Sequence, residues 1–366
     1  MLSSYSITEN LKPSRKKPFY KVSQGLRKYL RHYGREVAVP VSYNDLLHFA
    51  GSIPLYDNSG NDLLWETVYY DPSDMRELYP ALALVYAHLK TEGDTSFLKN
   101  LSVARVDYCV FGNSKPFRIR IVNNLNDNYD HFYVKVADAS RIYGLELEHI
   151  LSPNRIVYFT DENTLIEEHI AGIPGDMFIR DYLNDNSFNQ TRIAKEFIKF
   201  NERCFIRLLG DMRSYNYVID ITPDFEASQF RARAIDFDQQ SYDGRLAMYL
   251  PRLFQENQPL MELARKFLKP DSILQYQQEE RALIVNRLRS SRYRLKELLD
   301  PMLKDEISSP EKIRQLRAEL AIHYKNSAFL TCKGMGEIVK LHLKQTLRQI
   351  LKKIHEGERP GADINT

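Results

Sequence analysis

The chain has 366 residues, enough for one large or two moderate domains with a sizeable core. Its hydrophobic fraction of 43% and charged fraction of 27% exclude a disordered, collagen-like or disulfide-scaffold protein. The three cysteines form no CxxC pair, so a cysteine-built zinc site has no support. The sequence contains neither a run of about 18 apolar residues nor a signal-peptide pattern. We therefore expect a cytoplasmic protein with no transmembrane segment.

Positive charge is concentrated at the two ends of the chain. Residues 1–35 carry nine Lys or Arg and one acid, and residues 281–366 carry 18 and 10, although the net charge is only +3. We interpret residues 1–35 as a basic flexible arm that leads into a short helix. Because the middle of the chain is acidic, the basic ends can be neutralised by packing on it. A nucleic-acid partner is therefore disfavoured.

Residues 36–100 are predicted to form a helical N-terminal extension. Ser42 and Asp45 have the spacing of a capping pair at the start of one helix. Asp71, Pro72 and Ser73 are typical of the start of a second helix. This segment predicts architecture but no chemistry.

Residues 101–172 have the pattern of a small β-rich lobe. Alternating and β-branched runs separated by polar turns predict three antiparallel strands between residues 101 and 136. A helix is predicted over about 141–151, followed by two further strands in the runs RIVYF and TLIEEHI. The expected order is three strands, one helix and two strands.

Residues 173–366 are predicted to form a large helical lobe that contains the catalytic loop. Two glycines, Gly172 and Gly175, interrupt the pattern before it. Apolar residues then recur at helical spacing from Ile193 to Leu209. The last long segment, residues 336–354, is a basic amphipathic helix that we expect to pack on its own domain.

Acidic and amide side chains follow this helix at a spacing that suits phosphoryl transfer. Asp211 and Asn216 lie five residues apart between a helix and a short strand, and Asp236 and Asp238 end the next apolar run. Transfer of a phosphoryl group needs a carboxylate that orients the attacking hydroxyl and oxygen ligands for Mg²⁺. We expect Asp211 to be the base, Asn216 and Asp236 to hold Mg²⁺, and Asp238 to support a second ion.

The same chemistry requires a lysine for the nucleotide phosphates and a helix acid that positions it. Lys135 lies in the third predicted strand between apolar neighbours, where an inward-pointing lysine needs an anionic partner. Glu146 and Glu148 on the next helix are both available, and the periodicity does not decide between them. Glu146 is preferred because it leaves a longer stretch before the next strand.

These motifs together resemble the protein-kinase-like fold, and most closely its aminoglycoside phosphotransferase and choline kinase branch. The resemblance covers about residues 100–250 and rests on VKV at 134–136, IEEHIAG at 166–172, GDMRSYN at 210–216 and IDFD at 235–238. It implies an α+β, two-lobed fold with an N-terminal helical extension, a helical C-terminal lobe and ATP bound between the lobes.

The resemblance also implies a nucleotide site. The segment 164–172 would lead into a hinge in which backbone groups of Glu168, His169 and Ile170 face the adenine. The turn that contains Gly112 would cover the phosphates, although it has a single glycine and would cradle them less fully. A second departure is Leu209, which stands where the branch usually has a histidine that buttresses the catalytic loop.

The expected activity is ATP- and Mg²⁺-dependent transfer of the γ-phosphoryl group to a hydroxyl of a small molecule or protein. The acceptor is not specified, although the acidic middle of the chain suits a cationic one. The alternative is a catalytically inactive kinase-like module that senses nucleotide or binds a partner. The departures at Leu209 and Gly112 favour this alternative, whereas the complete set of Asp211, Asn216 and Asp236 favours an enzyme.

Overall fold

The computed structural model describes residues 17–57, 60–91, 96, 98–111, 114–185, 187–224 and 228–357. The protein is a mixed α+β protein with antiparallel sheets, as its α+β pattern predicts. The described chain folds into two compact units. The sheet unit contains residues 17–139 and 156–169, and the helical unit contains residues 140–155 and 170–357. None of the helices in the described part of the chain is long and apolar enough to cross a membrane.

The sheet unit is built on seven antiparallel strands, in the order β1-β2-β3-β4-β5-β7-β6. The strands are β1 (Gly51–Tyr56), β2 (Asp62–Tyr69), β3 (Leu101–Cys109), β4 (Phe117–Asn123), β5 (Tyr129–Val136), β6 (Tyr158–Asp161) and β7 (Thr164–Glu168). The helices are α1 (Gln24–His32), α2 (Tyr43–Leu46) and α3 (Pro72–Thr91). All five strands predicted between residues 101 and 170 are therefore confirmed, with small shifts at their ends.

The prediction that residues 36–100 are helical was wrong for β1 and β2. These strands pair with each other, and β2 pairs with β3 through Trp65 opposite Cys109. Their β-branched and aromatic residues suit a pleated surface, and this pairing decides the conformation of a segment whose local pattern is ambiguous. The predicted helix starts are confirmed, because Ser42 and Asp45 form a capping box and Pro72 opens α3. The segment thus shares one unit with the strands that follow it.

Alternation along the strands separates an apolar face of the sheet from a polar one. Helix α3 packs on the apolar face, where Leu82 meets a core that includes Phe117, Ile119 and Phe132. Each of these side chains contributes about 1.5–3 kcal/mol when it is removed from water. Lys135 lies on the opposite face because its neighbours in β5 occupy the core side.

The helical unit contains a three-stranded antiparallel sheet in the order β10-β9-β8 and most of the helices. The strands are β8 (Ile173–Pro174), β9 (Tyr217–Thr222) and β10 (Gln229–Ala234). The helices are α4 (Ala139–Leu151), α5 (Gly175–Met177), α6 (Gln190–Arg207), α7 (Gln258–Phe267), α8 (Pro270–Ser290), α9 (Arg292–Met302), α10 (Pro310–Tyr324) and α11 (Met335–Gly357). The predicted central and final helices are confirmed as α6 and α11.

Helix α6 has a pair of buried arginines in addition to its apolar face. Arg203 lies within 2.5 Å of Glu196 and 3.3 Å of Glu280, and Arg207 forms an ion pair with Glu148 of α4. Burial lowers the pKa of Arg207, since a guanidinium ion is poorly solvated there. These ion pairs therefore join α6 to the neighbouring helices α4 and α8.

His342 of α11 is expected to make the stability of the protein depend on pH. Its side chain is fully buried, with Nε2 donating to the carbonyl oxygen of Phe205 at 2.8 Å, and burial lowers its pKa from 6.5 to about 4. Between these pH values the unfolded chain binds the proton that the folded protein excludes. The free energy of unfolding should therefore fall as pH decreases from about 6.5 to 4, by up to roughly 3 kcal/mol.

Urea denaturation of the wild type and of His342→Gln over this pH range checks the prediction. The variant cannot titrate at this position, so its free energy of unfolding should depend less steeply on pH. The pKa of His131 is also lowered to about 4, but this histidine is present in both proteins and cancels in the comparison. Parallel pH profiles for the two proteins would show that His342 does not contribute.

Candidate active site

The segment after α6 lies against the segment after β10. Leu208 directly follows the last residue of α6 and has the left-handed value φ = +52°. Its carbonyl oxygen accepts a hydrogen bond from the backbone N–H of Ser241 at 2.8 Å. Leu209 forms a β-bridge with Gln240. These backbone contacts bring the Asp211 motif beside the Asp236 motif.

Asp211 is held by both its backbone and its carboxylate. Its backbone N–H donates to the carbonyl oxygen of Met248 at 2.9 Å, and its φ is +58°. Its Oδ1 accepts a hydrogen bond from Nε of Arg213 at 3.1 Å, and Nη1 of Arg213 lies 2.5 Å from Glu256. Burial lowers the pKa of Arg213, but the carboxylates of Asp211 and Glu256 outweigh it and raise that pKa overall. Arg213 thus orients the Asp211 carboxylate.

Asn216 joins the two motifs. Its side-chain amide donates to the carbonyl oxygen of Asp211 at 2.7 Å. Its own carbonyl oxygen accepts a hydrogen bond from the backbone N–H of Ile235 at 3.0 Å, which places Asn216 next to Asp236. The hairpin of β9 and β10 produces this proximity, since Tyr217 pairs with Ala234. Residues 225–227, at the turn of this hairpin, lie outside the described residues.

Asp236 and Asp238 share one guanidinium group. Nη1 of Arg141, in α4, lies 3.0 Å from Oδ1 of Asp236 and 2.8 Å from Oδ1 of Asp238. The Arg141 side chain is only 2% exposed, whereas the Asp236 side chain is 34% exposed. Arg141 had no predicted role, although it lies at the start of the helix that was predicted over about residues 141–151.

Lys135 has a carboxylate partner within the sheet unit. Its Nζ lies 2.7 Å from Oε2 of Glu167 on β7, and both side chains are at least nine-tenths buried. In the helical unit, Glu146 accepts hydrogen bonds from Arg294 and Glu148 pairs with Arg207. The contact of Lys135 with a carboxylate on α4 therefore stays a prediction. Glu167 had no predicted role, although it lies in the IEEHIAG motif.

The residues predicted to bind the nucleotide each have different neighbours in the structure. Gly112 lies outside the described residues. Glu168 accepts a hydrogen bond from the backbone N–H of Val157 at 2.7 Å, and Ile170 is buried. Nδ1 of His169 lies 3.3 Å from the Tyr133 hydroxyl, and burial lowers the pKa of His169, which therefore favours the neutral ring.

The side chains predicted to bind Mg²⁺ carry oxygen donors. No group of three His, Cys, Asp or Glu side chains suited to a metal occurs within the described residues. Asn216 and Asp236 supply an amide and a partly exposed carboxylate, which are the oxygen donors that Mg²⁺ uses when phosphates and water complete its coordination. Asp238 is less accessible, with 13% of its side chain exposed and Arg141 beside it.

Comparison with known proteins gives no family for this chain. No protein-family model matches it, and a search of curated proteins found no similar sequence. The resemblance to the protein-kinase-like fold therefore rests on the motifs themselves.

Proposed function

We propose that the protein is an ATP- and Mg²⁺-dependent phosphotransferase of the protein-kinase-like fold, nearest to the aminoglycoside phosphotransferase and choline kinase branch. It moves the γ-phosphoryl group to a hydroxyl of a small molecule or protein. The observation that carries the proposal is the backbone framework that holds Asp211, Asn216 and Asp236 together. Two separate motifs lie side by side, and together they carry the carboxylates and the amide oxygen that phosphoryl transfer uses.

In this proposal Asp211 is the general base. Its carboxylate accepts a hydrogen bond from Arg213, which leaves the group oriented when the acceptor hydroxyl arrives. Asn216 and Asp236 hold Mg²⁺. When bound, this ion neutralises the charge that develops on the phosphate oxygens.

Lys135 and the segment 168–170 supply the nucleotide contacts of the proposal. In the proposal Lys135 binds the phosphates. Its buried ammonium group is paired with Glu167 in the structure. A phosphate would compete with Glu167 for that lysine. The backbone of Glu168, His169 and Ile170 is proposed to face the adenine.

A cationic acceptor would approach Asp211 past four carboxylates, those of Asp211, Glu256, Asp236 and Asp238, which Arg213 and Arg141 offset only in part. The side chain of Tyr215 is 50% exposed, and burial of its hydroxyl raises the pKa of that group. The charges of Asp211, Glu256 and Asp236 raise this pKa further, against the opposing effect of Arg213. Three carboxylates thus act on one accessible side chain, and an amine or a basic peptide would be attracted to this surface.

One observation favours the alternative of an inactive nucleotide-binding module. Leu209 is fully buried where the resembling branch has a histidine, so no imidazole supports the loop at that position. An inactive module would bind ATP without turnover. Measuring binding and turnover on the same preparation separates the two proposals.

Magnesium-dependent binding of ATP tests the proposed site. We expect the wild type to bind ATP more tightly with Mg²⁺, and Asp236→Asn to lose most of this enhancement because it removes an anionic ligand. Isothermal titration calorimetry with and without Mg²⁺ measures both affinities. Asp300→Asn is the matched control. Asp300 is exposed on α9, so this substitution removes the same charge at a position away from the site.

Two results would contradict the proposal. The first is wild-type protein that binds no ATP under any metal condition. The second is an unchanged dependence on Mg²⁺ in Asp236→Asn, which would place the metal elsewhere.

A further inference from the structure

Arg141 occupies the space between two carboxylates that are close in sequence. Its Nη1 contacts Oδ1 of both Asp236 and Asp238, and its Nη2 lies 3.4 Å from the carbonyl oxygen of Ile235. The backbone N–H of Asp238 also donates to Oδ1 of Asp236 at 2.9 Å. The guanidinium group therefore bridges the two carboxylates. It occupies the position that a metal ion shared by Asp236 and Asp238 would take.

Helix α4 holds this guanidinium in place. Next to Arg141, the hydroxyl of Ser140 donates to the carbonyl oxygen of Gln240 at 2.7 Å. Further along α4, Tyr143 donates to Asp305 at 2.7 Å. A Cβ atom at Gly144 would lie 3.0 Å from Cβ of Phe237, so the absence of a side chain lets α4 approach the loop closely.

The charge of this group is permanent. A guanidinium stays protonated at any physiological pH, and Arg141 is almost completely buried. A divalent cation bridging Asp236 and Asp238 would have to lie within a few ångströms of this positive charge or displace it. Displacement is opposed by the contacts that fix α4.

We propose that Arg141 takes the place of a second divalent cation, so that the site binds one Mg²⁺ ion with ATP. This inference rests on the proposed function and deepens it. Asp238 then acts as the counter-charge that holds Arg141, and the remaining ion lies at Asn216 and Asp236. Arg141 is a positioning residue, because it acts on the carboxylates and not on the reacting atoms.

Removing the guanidinium should create a cation site that can be measured without nucleotide. In Arg141→Gln the two carboxylates lose their shared partner, and Mn²⁺ alone should raise the melting temperature of this variant about 2–4 °C more than that of the wild type. Arg141→Lys keeps the positive charge and should behave as the wild type does. The double variant Arg141→Gln with Asp238→Asn should lose the gain, since one of the two acids is neutral.

The number of Mn²⁺ ions bound in the presence of ATP gives the second measurement. Equilibrium dialysis should find one ion per wild-type chain and two per Arg141→Gln chain. Two ions on the wild type would overturn the inference and leave the proposed function intact. ATP binding that needs no metal would overturn the proposed function. The rise in melting temperature that Mn²⁺ alone causes in Arg141→Gln and in the wild type would still decide the role of Arg141. If Arg141→Gln does not fold, the wild-type stoichiometry decides the question.

Discussion

Asp211→Asn is expected to reduce phosphoryl transfer by about 10²–10⁴-fold while leaving the affinity for Mg²⁺ and ATP largely unchanged. The carboxylate is the proposed base, and an amide of the same shape cannot accept the proton from the acceptor hydroxyl. Asparagine is the appropriate replacement because Asp211 has φ = +58°, and asparagine adopts this left-handed conformation more readily than most residues. The fold of the loop should therefore survive the substitution.

The experiment compares turnover with binding in the same variant. Turnover is measured by release of ADP in the presence of candidate acceptors, and binding by calorimetry. Asp300→Asn again serves as the control for loss of one carboxylate. Turnover equal to that of the wild type would exclude Asp211 as the base, and combined loss of binding and turnover would indicate a structural role.

Glu148→Gln is expected to lower the free energy of unfolding by about 3–5 kcal/mol. Glu148 and Arg207 are both almost fully buried and form an ion pair between α4 and α6. Removing one partner leaves the other charge without compensation in a region of low polarity, and the lost attraction is not recovered from water. The loss should appear in urea denaturation followed by circular dichroism.

Two controls separate the effect of burial from that of charge. Glu311→Gln removes a carboxylate from the exposed pair with Arg314 on α10, where water solvates both charges and the free energy of unfolding should change far less than in Glu148→Gln. Replacing Glu148 by Leu and Arg207 by Met together removes both charges and should restore much of the stability. A small effect of Glu148→Gln alone would show that Arg207 is compensated by another group such as Glu280.

Local patterns predicted much of the fold correctly. The alternation in residues 101–136 predicts β3, β4 and β5, and the helical spacing of apolar residues predicts α6 and α11. The capping pair at Ser42 and the proline at residue 72 mark helix starts, because these residues act on neighbouring backbone groups. These signals depend on a few adjacent residues, so no knowledge of the rest of the chain is needed to interpret them.

Strands β1 and β2 show where local pattern fails. Their residues were predicted to be helical, yet β2 pairs with β3 across about 40 positions of sequence. A strand obtains its hydrogen bonds from neighbouring strands, and for β2 one of these is the distant segment β3. The preference of the segment itself therefore did not decide its conformation.

Within the candidate site, the sequence by itself determined which types of side chain are available. The tertiary structure decided which of these side chains form ion pairs. Motif spacing alone pointed to Asp211, Asn216 and Asp236, and backbone hydrogen bonds in the folded chain bring their segments together. The contact of Lys135 with Glu167 and that of Arg141 with Asp236 were not predicted. An ion pair depends on a separation of a few ångströms between side chains, and only the packed arrangement of strands and helices sets that distance.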